Sequence, residues 1–273
     1  MKEEQKMNES ADRAAYVYVE ETMSVVETAS TVVYRVILPI ICTFGIVGIL
    51  LTLIVLSRKS MRTSTNCYLM ALSVADLAFL VLIASLFIHS PAHDSETFHV
   101  YAVYAAIMAN VTLMASIWLT VVLAVERYVA ICRPFLAARV CTVQVAATAI
   151  GVVFALALAS RMPNFWEHQI DWYRDPTAGN RSVAWVRMTD LAHNKLYQRL
   201  YSWLVDASLA SIVPFVLLLV LNVSLVREVR RSTRYLQHHV AGSVSSTTQR
   251  EELQISVMLI SIVVVFFICQ VGV

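Results

Sequence analysis

Six stretches of this chain, roughly residues 33–57, 66–89, 100–125, 142–163, 199–226 and 253–273, are apolar for long enough to cross a lipid bilayer. A hydrocarbon core takes about 20 mostly apolar residues when it is crossed as a helix. The 273 residues are 58% apolar and 15% charged, where a soluble domain carries about 25% charged residues. So few charges cannot cover that much apolar surface in water, which argues against a water-soluble enzyme. Five cysteines, six glycines and six prolines exclude a disulfide scaffold, a collagen-like repeat and a low-complexity linker. The expected fold class is all-α: a polytopic transmembrane helix bundle over 33–273, preceded by a segment at 1–32.

The charges orient the bundle. The connections after spans one, three and five, with Arg58, Arg133 and Arg227 among their cations, hold 11 Lys and Arg against four acids, a net of +7. The opposite side holds 10 cations and 13 acids, a net of −3. Cytoplasmic loops collect Lys and Arg, so the Arg-rich side is expected inside and the N-terminus outside. Residues 1–32 carry seven acids, three cations and no apolar run, so no cleavable signal peptide is expected and span one serves as its own anchor. Asn-x-Ser/Thr sequons occur at Asn8, Asn110, Asn180 and Asn222. Asn8 and Asn180 fall outside the membrane and are expected to accept glycans. The other two lie within spans and are chance matches.

An ionisable group inside a membrane is costly and is a functional candidate by default. Asp76 lies in the middle of span two and Asp206 in the first third of span five. Span three ends on Glu126-Arg127-Tyr128, followed at fixed spacing by Cys132-Arg133-Pro134-Phe135. Together with Asp76, this pattern resembles the rhodopsin family of seven-helix G-protein-coupled receptors. Pro214 in span five and Phe266-x-x-Cys269 in span six fit the same family. Met162-Pro163-Asn164-Phe165-Trp166-Glu167 and Tyr197, Tyr201 and Trp203 resemble the invertebrate FMRFamide-type peptide receptors.

The resemblance implies a multi-pass receptor of the plasma membrane that takes an extracellular peptide and passes the signal to a heterotrimeric G protein. In the resting state Arg127 would pair with Glu126 and with Glu252 at the foot of span six, and movement of that foot would open a crevice beside Tyr128. Pro214 and Phe266 belong to the same switch. Asp76 and Ser116 correspond to two groups of the family's internal sodium site, and sodium is the single cofactor implied. Ala109 stands where amine receptors carry Asp, which favours a peptide. Neither catalysis nor a nucleic-acid partner is expected, since no phosphate loop, nucleophile elbow or metalloprotease motif occurs.

Several positions depart from the family. Ile49 replaces an Asn, Gly272 replaces the sixth-helix proline, and Ala102 replaces the cysteine that staples the second extracellular loop. That loop, 164–198, has no cysteine either, so packing alone is expected to hold it. Six spans are present of an expected seven, so the chain is expected to stop short within span six. The alternative is a six-pass transporter or channel.

Asp206 is the sharpest candidate for a ligand contact. It precedes Pro214 by eight residues, about 12 Å at 1.5 Å per residue of α-helix, and Trp203 and Ala210 share its face at that spacing. No Lys or Arg occurs in the central portions of the other spans, so the carboxylate is expected to wait for a ligand cation. An Arg-Phe-amide peptide would dock its Arg there, with Asn110, Met114, Phe266 and Gln270 lining the way for the Phe. The charge asymmetry generates one direct test of topology. Epitope tags at 1–32 should stain on intact cells, and tags at 240–248 only after permeabilisation; surface staining of the second tag would reverse the topology.

Overall fold

The computed structural model describes residue 28 and residues 31–58, 63–89, 96–175 and 181–239. A wide turn at Val33–Ile37 leads into α1 (Leu38–Leu56), followed by α2 (Ser64–His89), α3 (Glu96–Cys132), the short α4 (Pro134–Val140) and α5 (Val143–Trp166). A hairpin of β1 (His168–Asp175) and β2 (Arg181–Met188) comes next. Then α6 (Asp190–His193) and α7 (Lys195–Tyr201) lead through a π-helical stretch, Ser202–Ile212, into α8 (Val213–His239). Five helical stretches are long and apolar enough to span: Arg35–Leu56, Ser64–Leu86, Phe98–Cys132, Val143–Trp166 and Lys195–Glu228. These are the first five expected spans; the sixth, at 253–273, lies outside the described residues.

Local chemistry explains where these helices begin and end. From Glu96 to Cys132 there is neither Gly nor Pro, so α3 runs unbroken for 37 residues, about 55 Å at 1.5 Å per residue. It stops because Pro134 excludes helical geometry from the residue before it; Arg133 sits at φ −137° and ψ 64°. The next long helix starts with a side-chain cap, the Thr142 hydroxyl accepting from the Val145 N–H at 3.3 Å, which satisfies one of the free donors at a helix start. In span five, Pro214 can neither donate nor tolerate the carbonyl four residues back. The chain winds wide over Ser202–Ile212 and resumes α-helical form at Val213, with Pro214 completely buried. This wide winding corrects the spacing expected around Asp206. A π turn bonds residues five apart, as the Ser208 hydroxyl does with the Trp203 carbonyl at 2.9 Å, so α-helical spacing does not relate 203, 206 and 210.

The second difference from expectation is the hairpin. Residues 164–198 are not a loop held by packing alone: β1 and β2 pair antiparallel in register from His168↔Met188 to Asp175↔Arg181. The cross-strand ladder orders this segment internally.

Helix α3 is the centre of the bundle. Its Leu119 and Leu123 pack with Tyr68 and Ala75 of α2 and with Ala146 and Val153 of α5. Its Val111, Met114 and Ala115 pack with Ala157 and Val205, and its Val121 and Ala124 with Leu218 of α8. Small residues at these contacts bring the helices close, which is how helices associate in lipid without a hydrophobic driving force between them. Gly45 does the same for α1: a Cβ there would stand 2.8 Å from the Leu80 side chain of α2. Outward positions such as Phe44, Leu51 and Leu156 are large, apolar and exposed, as lipid-facing side chains should be.

Ala115 has no exposed surface, so Ala115→Leu should cost about 1–3 kcal/mol by overpacking and lower Tm in detergent. Ala155→Leu, at an exposed position of α5, should leave Tm unchanged. Equal Tm for both variants would show that α3 is not tightly packed there.

Candidate functional site

Polar groups collect at three levels of the bundle: the hairpin end, the middle and the Arg-rich end. At the hairpin end, Asp206 is not waiting for a cation. Arg161 of α5 donates from Nη1 to Asp206 Oδ1 at 2.7 Å, with side-chain exposures of 8% and 52% respectively. The expectation of an unpaired acid failed because Arg161, two residues inside the expected end of span four, lies outside the central portion of that span. Burial of a guanidinium is costly without a partner, and Asp206 is the acid within reach.

Other contacts surround this pair. Tyr201 donates to the Ser160 carbonyl at 2.8 Å, and Tyr197 donates to Glu167 Oε1 at 2.9 Å. The two tyrosine rings stack with centroids 5.6 Å apart. Together they tie the start of span five to the end of α5. Sequence reasoning singled out these tyrosines as a motif but gave no sign of what they hold. A cleft of about 670 Å³ opens here, lined by Asn164, Glu167, Lys195 and Gln198, and by Arg199, Tyr201, Trp203 and Asp206. Two acids and two bases line it, so it is a site of mixed charge rather than an anionic one. Arg161 Nε and Asn164 Oδ1 are buried beside it with no hydrogen-bond partner among the described residues.

Of the expected ligand contacts, Trp203 and Asp206 line this cleft. Met114 does not: it is 2% exposed in the packed core and borders a separate, mostly apolar cavity of about 380 Å³ with Trp118, Leu156 and Leu209. Asn110 is exposed and donates to the Ala106 carbonyl of its own helix at 3.1 Å. Asn222 is buried and donates to the Leu218 carbonyl at 2.8 Å, where no glycan could reach it. Phe266, Gln270, Glu252, Asn8 and Asn180 lie outside the described residues.

In the middle, Asp76 and Ser116 do come together, the serine hydroxyl donating to Asp76 Oδ1 at 2.5 Å. Two side chains do not enclose a cation, and no cluster of three metal-ligating His, Cys, Asp or Glu occurs among the described residues.

At the Arg-rich end, Glu126 is buried and accepts from the Ser64 hydroxyl at the start of α2. The expected ion pair with Arg127 does not form: neighbours in a helix point in different directions, and no carboxylate among the described residues stands within 4.0 Å of Arg127. The position of Ser64, at the foot of α2, gave no signal in the sequence. Tyr128 faces a cleft of about 430 Å³ between α3 and α8, shared with Arg133, Ser224, Arg227, Glu228 and Arg231. Beside it α4 presents Phe135, 94% exposed.

A multi-pass helical bundle with a mixed-charge cleft at one end and a Glu-Arg-Tyr helix end at the other has the architecture of a membrane receptor. The chain belongs to the seven-transmembrane receptor family of the rhodopsin type, whose family model matches residues 47–273. With that, the transporter or channel alternative falls away. The chain is 29% identical over 242 residues to the FMRFamide receptor of Drosophila melanogaster, covering 85% of this chain and 43% of that one. It is 26% identical over 249 residues to the sex peptide receptor of the same fly, covering 86% and 57%. It is 29% identical over 253 residues to the human neuromedin-U receptor 1, covering 84% and 57%. The chain thus spans about half the length of the curated relatives it matches.

The Arg161–Asp206 pair is asymmetric, and its variants should be too. Asp206→Asn leaves a buried guanidinium without a counter-charge and should cost about 2–3 kcal/mol, below the range for fully buried pairs because Asp206 is half exposed. Arg161→Met leaves a carboxylate that water can reach and should cost less than half as much. Thermal unfolding of both in nanodiscs measures this; equal costs would show that the two groups are not coupled.

Proposed function

We propose that the chain acts as a plasma-membrane receptor for an extracellular, FMRFamide-like neuropeptide, with its N-terminus outside. Agonist binding at the hairpin end would reach a cytoplasmic heterotrimeric G protein through movement of the sixth span relative to α3. The observation that carries this reading is the mixed-charge cleft at the hairpin end, supported by family membership and by the similarity to receptors named for peptides. A peptide offers both signs of charge and an aromatic face. The cleft offers Lys195 and Arg199, Glu167 and Asp206, and the exposed Trp203.

Arg161 changes how a ligand arginine would dock. It occupies Asp206 Oδ1 from within the bundle, and the half-exposed carboxylate keeps its other edge for the cleft. A ligand arginine would complete a sandwich of two guanidiniums on one carboxylate, and the peptide's phenylalanine would lie against Trp203. At the other end, Arg127 and the exposed Phe135 are the groups that would meet the G protein, with Glu252 as the resting partner of Arg127. Asn8 and Asn180 would carry glycans. A sodium ion between Asp76 and Ser116 would favour the resting state. An agonist shifts such an equilibrium only by its differential affinity for the two states.

Peptide binding tests the ligand half. Asp206→Asn should weaken an Arg-Phe-amide agonist by about 2 kcal/mol, roughly thirtyfold in Kd, and should barely change an analogue with citrulline in place of Arg. Equal losses for both peptides would make Asp206 structural only. For the signalling half, Arg127→Ala should abolish G-protein activation at equal surface expression while Glu252→Ala raises the basal level. Unchanged basal signalling in the second variant would remove the proposed lock.

A further inference from the structure

The cleft at the Arg-rich end has a composition that receptor function does not require. Helices α3 and α8 meet through Val121 and Ala124 against Leu218, and Leu225 is the last fully buried apolar residue of α8. Past that contact the helices part, and the space of about 430 Å³ between them is lined by polar side chains. Ser224, Arg227 and Arg231 stand three and four residues apart, which puts them on one face of α8. Tyr128 and Arg133 face them from the end of α3.

Depth in the membrane is set by the spans themselves. The apolar stretches of α3 and α8 end at Cys132 and Glu228, so the three guanidiniums stand where the hydrocarbon gives way to headgroups. The cleft carries three positive charges and one negative, Glu228. No ion pair within 4.0 Å joins Glu228 to these arginines among the described residues. Arginines at a membrane boundary commonly spread outward to the interface. Here they converge on one cavity with two hydroxyls, and a planar guanidinium fork matches phosphate oxygens in a bidentate way. Basic pockets between spans on the cytoplasmic side suit phosphorylated headgroups.

We propose that this cleft binds a phosphomonoester-bearing inositol headgroup, presented by a phosphoinositide of the inner leaflet. Arg227 and Arg231 hold the phosphates from α8, Arg133 closes the other side, and Tyr128 and Ser224 donate to the remaining oxygens. The inference rests on the inward orientation of the Arg-rich end, which the tag experiment tests separately, and not on the identity of the agonist.

Lipid binding to the purified chain in nanodiscs tests it. Phosphatidylinositol bisphosphate should bind roughly tenfold or more tighter than phosphatidylserine supplied at matched total charge, and Arg227→Gln with Arg231→Gln should remove that preference. Arg139→Gln, an exposed arginine of α4 away from the cleft, should retain it. Arg227→Lys with Arg231→Lys keeps the charge and loses the fork, so it should bind at an intermediate level; it also serves if the glutamine variant does not fold. Soluble inositol phosphate should compete only weakly. Equal binding of the two lipids, equal loss in Arg139→Gln, or undiminished binding in the lysine variant would overturn the built site. Competition by soluble inositol phosphate as strong as that of the bilayer lipid would overturn the lipid as its source.

Discussion

Inside a bilayer a polar group has no water to bond, and each unsatisfied one costs several kcal/mol. That constraint explains which side chains of this bundle meet. Many polar groups of the described spans bond back to their own helix, as Asn110 and Asn222 do, and a few are used between helices. Ser116 is spent on Asp76, Ser64 on Glu126 and Arg161 on Asp206. The first two join α2 to α3, at the middle and at the foot, and the third joins α5 to span five, so each fixes a rotation that apolar packing alone would leave loose. The apolar contacts along α3, with alanines at several of them, then set the distances.

Because α3 is unbroken and touches α2, α5 and α8 through buried side chains, it is the element through which the two ends of the molecule can be coupled. One end of it leads toward the hairpin and the mixed-charge cleft; the other carries Glu126, Arg127 and Tyr128. A packed interior is bistable rather than continuously deformable. A ligand that re-pairs Asp206 would therefore act on a helix junction held by the Arg161 pair and by the Tyr201 and Tyr197 hydroxyls. The wide winding over Ser202–Ile212 lies at that junction, and π-helical segments frequently mark functional sites.

Much of this was legible in the residues. The first five spans, their order and the family itself follow from apolar run length and a motif at a helix end, and the resemblance set Asp76 and Ser116 at one place. What was not legible is contact across helices. Arg161 lies two residues inside the expected end of span four, where a cation usually reaches out to the interface, and nothing in the sequence shows that it turns to span five instead. Nothing in the local sequence announces that Ser64, 62 residues from Glu126, will take the bond expected of Arg127. The β1–β2 ladder was missed because the missing cysteines drew attention from alternating residues such as Ile170 and Trp172, which pair with Val186 and Ala184. The π winding was missed because apolar periodicity was read with an α-helical rise on a stretch that does not keep it.

In the function proposed above, a peptide site at the hairpin end and a G-protein site at the Arg-rich end are coupled through one bundle. Coupling of this kind is reciprocal: whatever the agonist does for G-protein binding, the G protein must do for agonist binding. The most direct measurement is the Kd of an Arg-Phe-amide peptide on the receptor in nanodiscs, with and without nucleotide-free heterotrimeric G protein. The account predicts agonist binding tighter by roughly 5- to 150-fold when the G protein is present, with the gain lost in Arg127→Ala. An unchanged Kd under saturating G protein would contradict it.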